Sequence, residues 1–174
     1  MKNVLLALLA VALVATAACK KIDKLLTFYI EDSQNIRIAR NSVIGVLPPI
    51  PVAVTTRSNE KFSNEGTQAD LVKDVSLDKL TLTITDPNNA NFNFLESIAI
   101  YISTDANDRV PLASLSNVPR NQAVIELQPS GTKLDKYLKA DSYTLTTEAK
   151  IRETVTQDIS VRTDSRFKVT ADPL

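Results

Sequence analysis

The sequence predicts an all-β domain built as an antiparallel sandwich. Three observations carry that expectation. Apolar and polar residues alternate with a period of two along most of the chain after Thr27, the pattern of half-buried strands. Turn-forming clusters such as Asp86-Pro87-Asn88-Asn89 and Pro129-Ser130-Gly131 cut that alternation at intervals. Helical spacing of apolar residues is confined to two short stretches, residues 69–73 and 134–138.

Taken in order, Phe28-Tyr29-Ile30, Asn35-Ile36-Arg37-Ile38 and Val52-Ala53-Val54 read as the first strands. Pro48-Pro49-Ile50-Pro51 between them cannot donate ladder bonds at its prolines, which puts it at an edge, a bulge or a loop. Residues 55–69 are the longest polar connection. The cleanest strand is Leu80-Thr81-Leu82-Thr83-Ile84-Thr85: the aliphatic residues share one face, and the threonines suit the wet side of a pleated surface. After the turn at 86–89, residues 91–97 lead into residues 98–103, which bury Ile98, Ile100 and Ile102. Residues 122–127 form a strand that stops at Pro129. Residues 142–151 form a long one with Tyr143 and Leu145 on one face. Ile159 with Val161, and Phe167 with Val169, mark the last two. Strands with one wet face belong to antiparallel sheets. Only three glycines occur, few for the tight hairpins of an up-and-down barrel, so an immunoglobulin-like sandwich is the expected architecture. The Cys-Trp-Cys hallmark of antibody domains is absent, so the likeness is one of architecture alone.

The first 18 residues read as a secretory signal peptide. Lys2 supplies the positive charge, Val4 to Ala15 form an apolar run, and Thr16-Ala17-Ala18 is a small-residue cleavage region. The run is shorter than the roughly 20 residues needed to span a bilayer. Cys19, the single cysteine of the chain, sits where cleavage falls. Ala17-Ala18-Cys19 resembles the lipobox of bacterial lipoproteins, with Thr16 where the usual pattern has Leu. That resemblance implies a diacylglyceryl thioether on Cys19, an acylated amine with palmitate as a typical chain, and a new N-terminus there. Lys20 in place of Asp at the next position implies the outer membrane. The alternative is ordinary cleavage, which leaves a secreted protein with one free thiol. Residues 19–26 then form the lipidated cysteine and its tether, and residues 27–174 the single β-sandwich domain, within the usual range of roughly 100–200 residues.

Composition excludes several function classes. Twenty basic residues balance twenty acidic ones, so no clustered charge suits nucleic acid. Histidine is absent, which removes Ser-His-Asp triads, Cys-His pairs and histidine metal sites. None of Gly45, Gly66 and Gly131 belongs to a phosphate-cradling loop. A glycosidase needs only two carboxylates, but sugar sites are commonly aromatic, and aromatic residues make up 5% of this chain. The expectation is a non-enzyme without cofactor or metal.

Two further resemblances concern the domain. Leu80-Thr81-Leu82-Thr83-Ile84, then Asp86-Pro87-Asn88, Phe92, Phe94 and Ile98-x-Ile100-x-Ile102 resemble the water-stress domain of late embryogenesis abundant proteins. Asp86 stands where that family has Asn; the resemblance implies a fibronectin-like sandwich. In general build the chain is similar to small immunoglobulin-like envelope lipoproteins of Bacteroidota, a likeness that implies no activity. Their surface-exported members often carry acidic residues after the cysteine, and Lys20-Lys21-Ile22-Asp23 has no such cluster.

Candidate sites are few. Asp105-Ala106-Asn107-Asp108 has the oxygens of a calcium loop, but Val110 and Ser116 occupy the positions where an EF-hand needs Gly and Glu, so it reads as a turn. Glu60 with Glu65, and Glu148 with Glu153, have spacings that fix no carboxylate separation. Tyr29, Tyr101, Tyr137 and Tyr143 are too scattered for a sugar-stacking platform. Phe62, in the polar connection, is either a partner contact or an anchor that tucks the loop back. The functional expectation is an outer-membrane-anchored scaffold that contacts an envelope protein or glycan. The alternative is a small-ligand carrier with a pocket between the sheets.

Overall fold

The computed structural model describes residues 25–174. The signal segment, Cys19 and most of the expected tether lie outside the described residues. Nine strands follow: β1 (Leu26–Ile38), β2 (Gly45–Val46), β3 (Ile50–Thr55), β4 (Val72–Asp86), β5 (Leu95–Ser103), β6 (Val110–Leu115), β7 (Val124–Pro129), β8 (Ser142–Ile151) and β9 (Ile159–Ala171). Two short helices, α1 (Ser58–Asn64) and α2 (Asp135–Lys139), complete the domain with two 3-10 turns.

Every pairing is antiparallel. One sheet runs β1-β9-β4-β7, and the other runs β6-β5-β8, with β2 and β3 side by side along the far edge of β8. The sheets join where β7 meets β6 through Ala113–Pro129 and Ser114–Gln128. At the opposite side, β1 and β3 are the two free edges. Counting β2 and β3 as one broken strand gives two four-stranded layers wound as a double-sheet jelly roll. The sandwich expected from alternation is what the chain forms. Alternation orients side chains and leaves strand order open, and pairing sets the jelly-roll order.

Alternation fixes the buried faces: Leu80, Leu82 and Ile84 on β4, Ile98, Ile100 and Ile102 on β5, and Tyr143 and Leu145 on β8 enter one core cluster. Pro51 is tolerated because β3 pairs on one side only. Several expectations are corrected. Residues 69–73 form a 3-10 turn running straight into β4 rather than a helix, because Val72 and Val75 are needed inside the sandwich. The polar connection at 55–69 holds α1, whose Ser58 and Phe62, four apart, share its buried face. At seven residues α1 is too short to persist without that packing. The sequence also hid β6, where a register shift opposite Ile100 and Tyr101 breaks the alternation and buries Leu112 and Ala113 in succession.

The largest correction concerns length. β1 is one continuous strand of 13 residues where two segments were legible, and so is β9. Both break in the apolar pattern at the same level. Asp32 of β1 is paired with Ser165 of β9, and Gln34 with Thr163. All four occupy inward positions, flanked along their strands by buried Ile30 and Ile36 and by Phe167 and Val161.

Candidate functional site

The polar break opens onto the gap between the free edges. A cleft of about 400 Å³ lies there, lined by residues 30–34 of β1, residues 54–58 from β3 into α1, and Lys61, Leu138 and Tyr143. Its floor is apolar, from Ile30, Val54 and Leu138, all buried. The polar groups are set by packing beneath them. Tyr143 is 3% exposed, and its hydroxyl crosses from β8 to donate to Asp32 Oδ2 at 3.3 Å. Gln34 Nε2 donates to both oxygens of Asp32, at 3.2 and 3.1 Å. Burial, and then the Asp32 carboxylate, push the Tyr143 phenol far above its ordinary range, so it stays a proton donor. Asp32 itself is half-buried, and among the described residues it has no ionic partner.

Across the cleft, Thr56 fixes the end of β3: its amide donates to Asp141 O at 2.9 Å and its hydroxyl to Ala140 O at 2.6 Å. Arg57 follows, exposed, and α1 then presents Ser58 and Lys61. Phe62 holds α1 down. It is fully buried and meets the Phe28 ring edge-on at 6.2 Å and 72°, so no partner contact runs through it.

Four buried side-chain oxygens among the described residues lack a hydrogen-bond partner: those of Ser58, Thr147, Thr163 and Asp135. Three of them belong to this seam. Ser58 lines the cleft, Thr163 faces inward beside Gln34, and Thr147 lines the apolar slot formed with Ile36, Leu82 and Val161 just beyond it. A buried hydroxyl left unpaired costs about 1–3 kcal/mol. Thr163→Val keeps the shape and removes the polar atom, so it is expected to raise unfolding stability by about 1 kcal/mol, read as a higher urea midpoint at unchanged slope. A lower midpoint would show that the hydroxyl is satisfied in the folded domain.

The other candidates are taken up elsewhere. Asp108 closes its own turn: it accepts from the amides of Thr104 at 2.8 Å and Asp105 at 3.0 Å, from the Thr104 hydroxyl, and pairs with Lys136 at 2.7 Å. Among the described residues no group of three acidic or thiol side chains is placed to hold a metal. Burial opposes ionisation of Asp108, but the bonds from Asp105, Lys136 and Thr104 outweigh it and hold the carboxyl well below the usual range. A depressed carboxyl stabilises the fold above its unfolded pKa, and the gain is lost as pH falls through the folded value. Stability should therefore hold steady above about pH 5 and fall as acid is added below about pH 4, with Asp108→Asn flattening that fall in urea titrations at stepped pH.

The glutamates do not converge. Glu148 pairs with Arg109 at 2.5 Å and Glu153 with Arg120 at 2.6 Å, while Glu60 and Glu65 are exposed on and after α1. Tyr101 lies under the Arg109 guanidinium, 3.8 Å from its ring centre, and Tyr137 is buried with its hydroxyl on Asp108 O. Tyr29 is half-exposed, with Arg166 at 5.2 Å. Sequence reading missed Asp32, Gln34, Ser58, Thr163 and Ser165. Their signal was present as two interruptions of alternation, at residues 31–35 and 162–166, which pair in register only once the strands are aligned.

The class is thus an antiparallel jelly-roll sandwich with a polar cleft at its open edge. No family model matches the chain, and no curated protein matches it. Solved structures similar to it include the 60-mer BFDV capsid protein, 8% identical over 87% of this chain and 95% of that one, with a TM-score of 0.43. The capsid of Helicobacter pylori bacteriophage KHP30 is 9% identical over 83% of this chain and 92% of that one, at 0.37. A carbohydrate-binding module of the β-sandwich superfamily is 8% identical over 82% of this chain and 56% of its own, at 0.29.

Proposed function

We propose that this chain is a non-enzymatic lipoprotein of a bacterial outer membrane, anchored through Cys19, whose sandwich carries a small polar ligand in the β1–β3 cleft. The observation that supports the carrier reading is the pairing of two polar breaks, Asp32-Gln34 with Ser165-Thr163, beside the one seam where no strand pairing joins the sheets. Inward polar groups in a sandwich weaken its core. Asp32 and Gln34 line an open cleft, which is the arrangement of a binding site. The anchor rests on Ala17-Ala18-Cys19 and the apolar run before it.

A second reading, contact with an envelope protein, is favoured by the exposed Val43, Ile44 and Val46 between β1 and β3. The two separate in one titration. The lipoprotein, extracted in detergent with labelled Ile, Leu and Val methyls, is titrated with the low-molecular-weight fraction of its own envelope. Carriage predicts shifts centred on Ile30, Val54 and Leu138. A spectrum that moves only at Val43, Ile44 and Val46, and only with the protein fraction, would contradict it.

A further inference from the structure

We propose that the cleft binds a small zwitterion, an amino acid or short peptide, with its ammonium on Asp32 and its carboxylate on Arg57 and Lys61. This rests on the carrier reading and names its ligand class. The lining is divided by charge. The β1 side brings Asp32, with its neighbour Glu31 on the other face of the strand, and the β3–α1 side brings Arg57 and Lys61. Among the described residues none of these four makes an ion pair, although nine pairs form elsewhere on the surface.

A carboxylate can accept about four hydrogen bonds, and Asp32 takes one on Oδ1 and two on Oδ2, so Oδ1 keeps an open lone pair. A half-buried charge without a counter-ion favours a cation strongly, because the surroundings screen it less than water does. Lys61 and Arg57 are exposed and keep their donors, the latter in a planar fork that fits a carboxylate. Ser58 adds a hydroxyl that is 2% exposed and has no partner in the fold. The volume of about 400 Å³ suits a small ligand. A sugar is disfavoured, since the one aromatic ring in the lining, Tyr143, is buried and presents no free face for stacking.

The test uses the detergent-extracted lipoprotein and five probes: alanine, trialanine, N-acetyl-trialanine, trialanine amide and maltotriose. Alanine or trialanine should shift the methyls of Ile30, Val54 and Leu138 at concentrations up to about 10 mM. Removing either charge from trialanine should weaken binding about tenfold or more. In Asp32→Asn, acetylation should no longer matter. In Lys61→Gln, an exposed change that leaves the fold intact, amidation should matter less. Equal binding of all three trialanine forms overturns the proposal. Shifts with maltotriose in place of the peptides overturn the zwitterion and leave the cleft as a carrier site. Silence with all five overturns the ligand class, and the envelope-fraction titration then decides the carrier reading by itself.

Discussion

Phe62→Ala destabilises the domain by about 3–5 kcal/mol, the range for removing a buried aromatic ring. Phe62 is fully buried, and its edge-on contact with Phe28 joins α1 to β1. The loss should exceed that of the ring alone in one respect. α1 has only seven residues and no side-chain cap at its start, so without Phe62 it has little to keep it helical. Ser58 and Lys61 would leave the cleft with it. Urea unfolding should show a much lower midpoint, and the methyl spectrum should report altered Ile30 and Val54 surroundings before unfolding begins. A loss below about 1 kcal/mol would mean that α1 is held by something other than this ring.

Under the proposed anchoring, Cys19→Ala is expected to move the protein from the membrane to the soluble fraction. A single acyl chain gives marginal, reversible membrane binding, and two or more hold firmly. Among the described residues no helix is long and apolar enough to cross a membrane. If the acyl chains on Cys19 are what hold the protein, the change should be near complete, read by immunoblot of carbonate-washed membranes. Retention of Cys19→Ala on washed membranes would show a second anchor and contradict the assignment of that role to the cysteine.

The sequence was most legible where burial and period agree. Over residues 80–84 of β4, 98–102 of β5 and 143–145 of β8 the buried apolar residues recur at every second position, so a strand was readable there and its inner face as well. The helix at 134–138 was legible because Leu134 and Leu138 are four apart and both buried. Strand order was not, because the partner of each strand lies far along the chain; β1 pairs with β9 across more than a hundred residues. The cleft was illegible for a related reason. Asp32 and Gln34 interrupt the apolar alternation between two legible strand segments, and only the pairing with Ser165 and Thr163 shows all four on the inside. α1 was obscured by its own composition, since six of its seven residues are polar and Phe62 alone reports its buried face.

The measurement that bears most directly on the account is the intact mass of the mature protein taken from its own membranes. The account predicts a chain that begins at Cys19 and carries the added mass of a diacylglyceryl group and an amide-linked acyl chain. An unmodified chain cut near Ala17, recovered without detergent, would contradict it.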